Sequence, residues 1–157
     1  MNNIFEGKVY KTNSGGDCVI ASYKNSTDVT VRFLDKYNYT VKTNLHDLKR
    51  GSVRNPYYPS VKGVGYMGEG KYKTRDKTGK RSKEFQTWVG MMERGHCQKF
   101  KNKHPSYSDC SVHPDWHNFR VFAEWYVNHE FFGLGYELDK DILVKGNIIY
   151  GADTCTL

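Results

Sequence analysis

Trp116, Phe119, Ala123, Tyr126 and Val127 recur at steps of three and four, and no other feature constrains the fold of this chain as strongly. That spacing lays five apolar side chains along one stripe of a helix, and the stripe needs a second apolar surface to cover it. Pro114 suits a first turn, whose N–H groups lack intrahelical partners anyway. The covering surface lies upstream. Ser82 is placed to cap a helix in which Phe85, Trp88, Val89 and Met92 fall at i, i+3, i+4 and i+7, with Gly95 as the expected stop. Trp88, Met92, Trp116 and Phe119 are therefore expected to join two packed helices.

The first forty residues follow a different period. Lys8-Val-Tyr-Lys, Asp17 to Tyr23, Val29 to Phe33 and Tyr37 to Val41 alternate like short strands separated by turn signals. Four strands so close together predict a small antiparallel sheet curled into a barrel-like module over residues 1–61. Asn44 is placed to cap a short helical turn that Gly51 stops. Further on, Tyr136 to Val144 and Ile148 to Tyr150 flank Lys145-Gly-Asn147, which reads as a C-terminal β-hairpin. The expected class is α+β: the N-terminal β-barrel-like module, two packed helices and the C-terminal hairpin, the last two within residues 62–157.

Charge is unevenly distributed along the chain. The net value is +7, with nine Lys/Arg against five Asp/Glu in residues 1–61, twelve against four in 62–103, and three against eight in 104–157. Most of the basic excess sits in Lys71-Tyr-Lys-Thr-Arg-Asp-Lys-Thr-Gly-Lys-Arg-Ser-Lys83, seven cations against one acid. Asp76-Lys-Thr-Gly79 marks a turn within it, so the segment reads as an exposed basic hairpin fit to lie along a phosphate backbone. Its candidate contacts are Lys71, Lys73, Arg75, Lys77, Lys80, Arg81 and Lys83. The Gly63-Val-Gly-Tyr-Met-Gly-Glu-Gly70 segment lacks a Gly-Lys-Ser/Thr ending and reads as a glycine-rich hairpin rather than a nucleotide-binding loop.

Cys97, Cys110, His113 and His117 are zinc-type residues, but Pro114 interrupts them and no Cys-x-x-Cys knuckle is present, so zinc is not expected. Glu137, Asp139 and Asp141 would share one face of a strand, where carboxylates need solvent, a basic partner or a divalent cation. Asp139 and Asp141 are the candidate ligands for Mg²⁺ or Mn²⁺. Met1 to Glu6 has no basic-then-apolar pattern, no run reaches membrane-spanning length, and the four cysteines form no close pair. A reduced, cytoplasmic setting without membrane contact is expected.

Trp88-x-x-Met91-x-x-Arg94, Tyr107, Val112-x-x-x-Trp116-x-x-Phe119-x-x-Phe122-x-x-Trp125, Leu138-Asp-Lys-Asp-Ile142, Gly146-Asn147, Tyr150 and Thr154-Cys155 together resemble a group of bacteriophage-encoded proteins. The group is described as HNH-like homing endonucleases, and longer members carry a plant-type AP2 DNA-binding domain. Gly51-x-Val53-x-x-Pro56 and Gly63-Val-Gly-Tyr66 resemble the N-terminal part of the same group. The resemblance implies DNA as partner, a host-cell cytosolic location and a divalent-metal-dependent endonuclease site. Asp139, Asp141 and Asn147 are its implied catalytic residues, and Lys140 an added phosphate contact. The chain departs from the pattern where Lys140 occupies the strand position at which such nucleases carry their histidine base. Two function classes follow: a DNA-associated phage protein, as an endonuclease or as a binding protein without the chemistry, and a non-enzymatic phage protein that counters host defence by binding a host protein or a nucleotide signal.

Overall fold

The computed structural model describes residues 4–157, and the chain divides into two compact units, Met1–Ser60 and Val61–Leu157. The N-terminal unit is a four-stranded antiparallel sheet of β1 (Val9–Lys11), β2 (Asp17–Asn25), β3 (Asp28–Phe33) and β4 (Thr40–Thr43). Its strand order follows the sequence, β1-β2-β3-β4. Because β1 and β4 do not pair, the sheet is open, and the expected barrel-like closure is not formed. The reason lies partly in length: outer strands of three and four residues supply too few ladder bonds to meet around a cylinder.

Alternation in β3 is complete. Val29, Val31 and Phe33 are buried, and Val31 sits opposite both Ile20 and Val41. The fourth strand is shorter than its sequence pattern predicts. Tyr37 lies in the turn before it and stacks on Tyr57, with ring centroids 4.4 Å apart. After β4, Asn44 caps α1 (Leu45–Lys49) by accepting the Asp47 N–H at 2.8 Å, and Gly51 follows with φ +70°. Leu48 of that turn joins Ile20, Val31 and Phe33 in the core of this unit.

The C-terminal unit is built on α2 (Lys83–His96) and α4 (Phe119–Asn128), with the short α3 (Gln98–Lys103) between them. Ser82 caps α2 as expected, its Oγ accepting the Phe85 N–H at 3.3 Å. The two helices meet where Trp88 and Phe85 pack on Phe119, with centroids 5.5 and 5.2 Å apart. Trp116 lies just ahead of α4, in a 3₁₀ turn over Pro114–His117, and packs on Phe122 and Trp125. Its carbonyl accepts the buried Trp88 indole N–H at 2.7 Å, which satisfies the one polar atom of that ring.

Gly95 does not end α2. The helix runs one residue further, to His96, and because a Cβ at Gly95 would meet Val112 Cγ2 at 2.7 Å the glycine serves a close approach instead. Two glycines of residues 63–70 have a similar purpose: a Cβ on Gly65 would meet the Trp88 ring at 2.9 Å, and one on Gly68 would collide with Asn118. They seat this segment on the helix pair and form no cradle.

The expected C-terminal hairpin is absent. Lys145-Gly146-Asn147 does turn, with Gly146 at φ +77°, but the residues on either side do not pair with each other. Instead β6 (Ile149–Tyr150) runs parallel to β5 (Ser111–Val112), while Asp139 exchanges backbone hydrogen bonds of 2.9 Å with Thr156. Burial explains the choice, because Tyr150 is only 4% exposed and joins the core of the helix pair. Glu137, Asp139 and Asp141 therefore do not share a strand face. All four cysteines are free, and no helix of the described residues is long and apolar enough to cross a membrane.

Candidate functional site

The basic segment folds as a loop tied at its base to the start of α2. Arg75 and Arg81 face each other in a single bridge, and Ser82, besides capping the helix, donates its hydroxyl to the Lys73 carbonyl at 3.0 Å. The one acid of the loop is engaged in the turn. Asp76 accepts the Thr78 hydroxyl at 2.6 Å and the Thr78 and Lys80 N–H groups at 2.8 and 3.1 Å, and these bonds hold its carboxyl below the usual range. Lys71, Lys73, Arg75, Lys77, Lys80 and Arg81 are all exposed. Lys71 lies 3.8 Å from Glu124, while Lys73, Arg75, Lys77, Lys80 and Arg81 have no carboxylate within 4 Å among the described residues. The turn chemistry of Asp76 thus leaves an uncompensated cationic surface.

Lys83 links this loop to a cleft of about 640 Å³. One wall is a face of α2, where Lys83, Gln86, Thr87, Gly90 and Arg94 fall at i, i+3, i+4, i+7 and i+11. The opposite wall is the segment from Glu137 to Asp141, with Tyr150 between the two. Arg94 Nε donates to the Tyr150 hydroxyl at 2.9 Å, and its guanidinium also lies 5.4 Å from the centre of that ring. Burial pushes the Tyr150 phenol up against the pull of Arg94, so it stays protonated and retains a proton to donate.

Each carboxylate of the cleft is already engaged. Asp139 Oδ1 accepts the N–H groups of Asp141 and Ile142 at 2.7 and 2.8 Å. Burial raises its pKa, but those bonds and the Lys140 charge outweigh burial and leave it lowered. Asp141 lies 3.0 Å from Lys140, whose side chain is only 12% exposed, and Glu137 lies 3.3 Å from Lys83. Burial alone would lower the Lys140 pKa, yet the Asp141 contact raises it overall, so Lys140 is a fixed cation rather than a base. Arg94 has only the neutral Tyr150 as its side-chain partner among the described residues.

Gly90 lies in the middle of the α2 wall, where glycine costs about 1 kcal/mol against alanine in a helix. Gly95 of the same helix is needed for packing. Gly90 is not: a Cβ there would meet only Arg94 Nη1, at an ordinary 3.6 Å. Its effect is to leave the middle of that wall bare.

Of the charged residues singled out from sequence, the structure thus brings together Lys83, Glu137, Asp139, Lys140 and Asp141. Asn147 stands apart from the cleft. Its amide donates to the Lys140 and Ile149 carbonyls at 2.8 and 2.6 Å, which staples the loop that carries Lys140. Histidine does not reach the cleft either. His117 packs edge-on against His96 with centroids 5.0 Å apart, and His129 contacts Thr156 at 3.4 Å.

One oxygen of Asp139 is committed to N–H groups and one of Asp141 to an ammonium, which leaves the other oxygen of each open. Among the described residues no group of three or more His, Cys, Asp or Glu side chains is placed to hold a metal ion. Sequence reasoning missed Gly90, Arg94 and Tyr150 as a unit. The signal for the α2 wall was present in its polar stripe, but Tyr150 arrives through a parallel pairing that no local pattern announces. Compared with protein-family models, with curated proteins and with solved structures, the chain has no match in any of the three.

Proposed function

We propose that this chain is a nucleic-acid-binding protein that grips a phosphate backbone through the loop from Lys71 to Lys83. The observation that carries this reading is the set of exposed cations at Lys73, Arg75, Lys77, Lys80 and Arg81, left without carboxylate partners because Asp76 is held by its own turn. A backbone lying along such a loop releases counterions as each phosphate is neutralised, which drives binding without reading sequence. The resemblance to phage HNH-like proteins points to DNA as the nucleic acid. Binding rather than cleavage is the activity proposed. By the resemblance, Lys140 takes the position of the histidine base, and it is a fixed cation beside carboxylates that are each engaged.

The test is to reverse the charge of Lys73, Lys77 and Lys80 together and measure duplex and single-strand binding across a salt series. Affinity is expected to fall by roughly tenfold or more at about 0.1 M salt, and the slope of log K against log salt to shrink by about 0.9 for each duplex phosphate that the variant no longer neutralises. Unchanged binding in that variant would remove the loop from the interface. Plasmid nicking with Mg²⁺ or Mn²⁺ is expected to be negligible. Robust nicking abolished by Asp139→Ala or Asp141→Ala would replace this reading with that of an endonuclease.

A further inference from the structure

We infer that the cleft between α2 and the Glu137–Asp141 segment is a nucleotide-binding site that seats a phosphate group on Arg94, flanked by Lys140 and Lys83. The cleft adjoins the basic loop and shares only Lys83 with it, and two independent observations point to an occupant. The first is the distribution of charge. Glu137 faces Lys83, Asp141 faces Lys140 and Asp139 is held by two N–H groups, whereas the Arg94 guanidinium meets a neutral hydroxyl. A half-buried guanidinium without a counterion favours an anion, and its planar fork matches the oxygens of a phosphate. Tyr150, having accepted from Arg94, has its own O–H left to donate to the same group.

The second observation is Gly90. A helix-weakening residue stands at mid-wall where nothing in the fold requires it, and it opens space that any side chain would occupy. Lys83 and Arg94 lie eleven positions apart on one face, a span of about 16 Å along the helix. That length exceeds a lone phosphate and suits a sugar and base extending from it. A volume of about 640 Å³ is also within the range of sites that enclose small organic ligands. Ser106 supplies a hydroxyl and Tyr107 an aromatic surface, while the Thr87 hydroxyl donates to Tyr126 at 3.3 Å and is left as an acceptor.

A phosphate of this kind comes either from a free mononucleotide or from a nucleic-acid strand, and the two sources are separable. Isothermal titration of the full chain at low salt would use adenosine, AMP, a 5′-phosphorylated single-stranded hexanucleotide and its 5′-hydroxyl counterpart. AMP is expected to bind and adenosine not. Arg94→Gln should weaken AMP binding by about tenfold or more, the weight of a charge-assisted hydrogen-bond pair. Gly90→Leu, which puts a good helix former in α2, should do the same by filling the space over the α2 wall, with melting temperature unchanged or raised.

Tighter binding of the phosphorylated hexanucleotide than of both AMP and the 5′-hydroxyl strand would identify a strand end as the source. Equal affinity for AMP and the phosphorylated strand would identify the free nucleotide. Failure of AMP and the phosphorylated strand to bind, or full binding by both Arg94→Gln and Gly90→Leu, would overturn the proposal. Reversal of Lys73, Lys77 and Lys80 should leave AMP binding intact, so loss of the backbone interface and loss of this site are distinguishable.

Discussion

The N-terminal unit spends its residues on a regular ladder, whereas the C-terminal unit uses two helices as a frame on which irregular segments are hung. In the first, β2 and β3 bury alternate side chains, and the core of Ile20, Val31, Phe33 and Leu48 is assembled within a short stretch of chain. In the second, the basic loop, the glycine-rich segment and the Glu137–Asp141 segment have almost no ladder of their own, yet all rest on α2, α4 or β6. Regular backbone satisfies its own N–H and C=O groups and leaves side chains for packing. Irregular backbone anchored on helices leaves charged side chains exposed, and that is where the basic loop and one wall of the cleft lie.

The sharpest way to test this contrast is to remove a ring from each core. Trp116→Ala in the C-terminal unit and Phe33→Ala in the N-terminal unit each delete a side chain no more than 2% exposed. Each is expected to cost roughly 3–5 kcal/mol. All three tryptophans lie in the C-terminal unit, so urea unfolding followed by tryptophan emission reads the first directly. Exchange of β3 amides reads the second. A near-normal unfolding midpoint for Trp116→Ala would mean that the helix pair is not the frame.

A second difference is titration. Burial, with the neighbouring His117 and Lys101 charges, holds His96 below its ordinary value of 6.5. Burial also lowers His117, helped by His113 and opposed by the Val112 carbonyl contact. The folded state therefore binds fewer protons than the unfolded chain. The stability this contributes is complete above pH 6.5 and is lost as pH falls from there through the lowered values. Tryptophan-detected unfolding should show stability declining below that point. His96→Phe, which replaces a ring whose Nε2 has no hydrogen-bond partner, should flatten the decline. An equal decline in that variant would place the sensitivity elsewhere.

The smallest expected effects are at the helix caps. Asn44→Ala in α1 and Ser82→Ala in α2 each remove a side-chain acceptor for a helix N–H, and each is expected to cost about 1 kcal/mol. Ser82 also holds the Lys73 carbonyl, so its replacement should additionally speed amide exchange in the basic loop. Thermal unfolding measures the cost, and equal loop exchange in both variants would remove the second role assigned to Ser82.

Periodic elements were legible from sequence. The α2 and α4 stripes, the Ser82 and Asn44 caps and the strand alternation up to Phe33 each follow from local spacing. What was not legible depends on contacts between distant segments. Barrel closure failed because β1 and β4 are too short to meet, a matter of strand ends rather than pattern. The C-terminal hairpin had a good turn at Gly146, but Tyr150 gains more by entering the helix core beside Arg94 than by facing residues 142–144. The α2 side of the cleft was written in its polar face, and Lys83 was legible only as part of the basic run. Gly90 carries no signal until the space above it is seen, and Gly95 looks like a helix end until Val112 is found against it.

The hydrogen bond between Arg94 and Tyr150 joins residues 56 positions apart. At synthesis rates of about 5–20 residues per second, the α2 wall is complete roughly 3–11 seconds before its tyrosine partner is made. During that interval Trp88, Met91 and Met92 lack the surface contributed by β6, and the Arg94 guanidinium has no hydroxyl to meet. The cleft is therefore a late product of biogenesis, and a nascent chain arrested before Ile149 would present the basic loop without the pocket behind it.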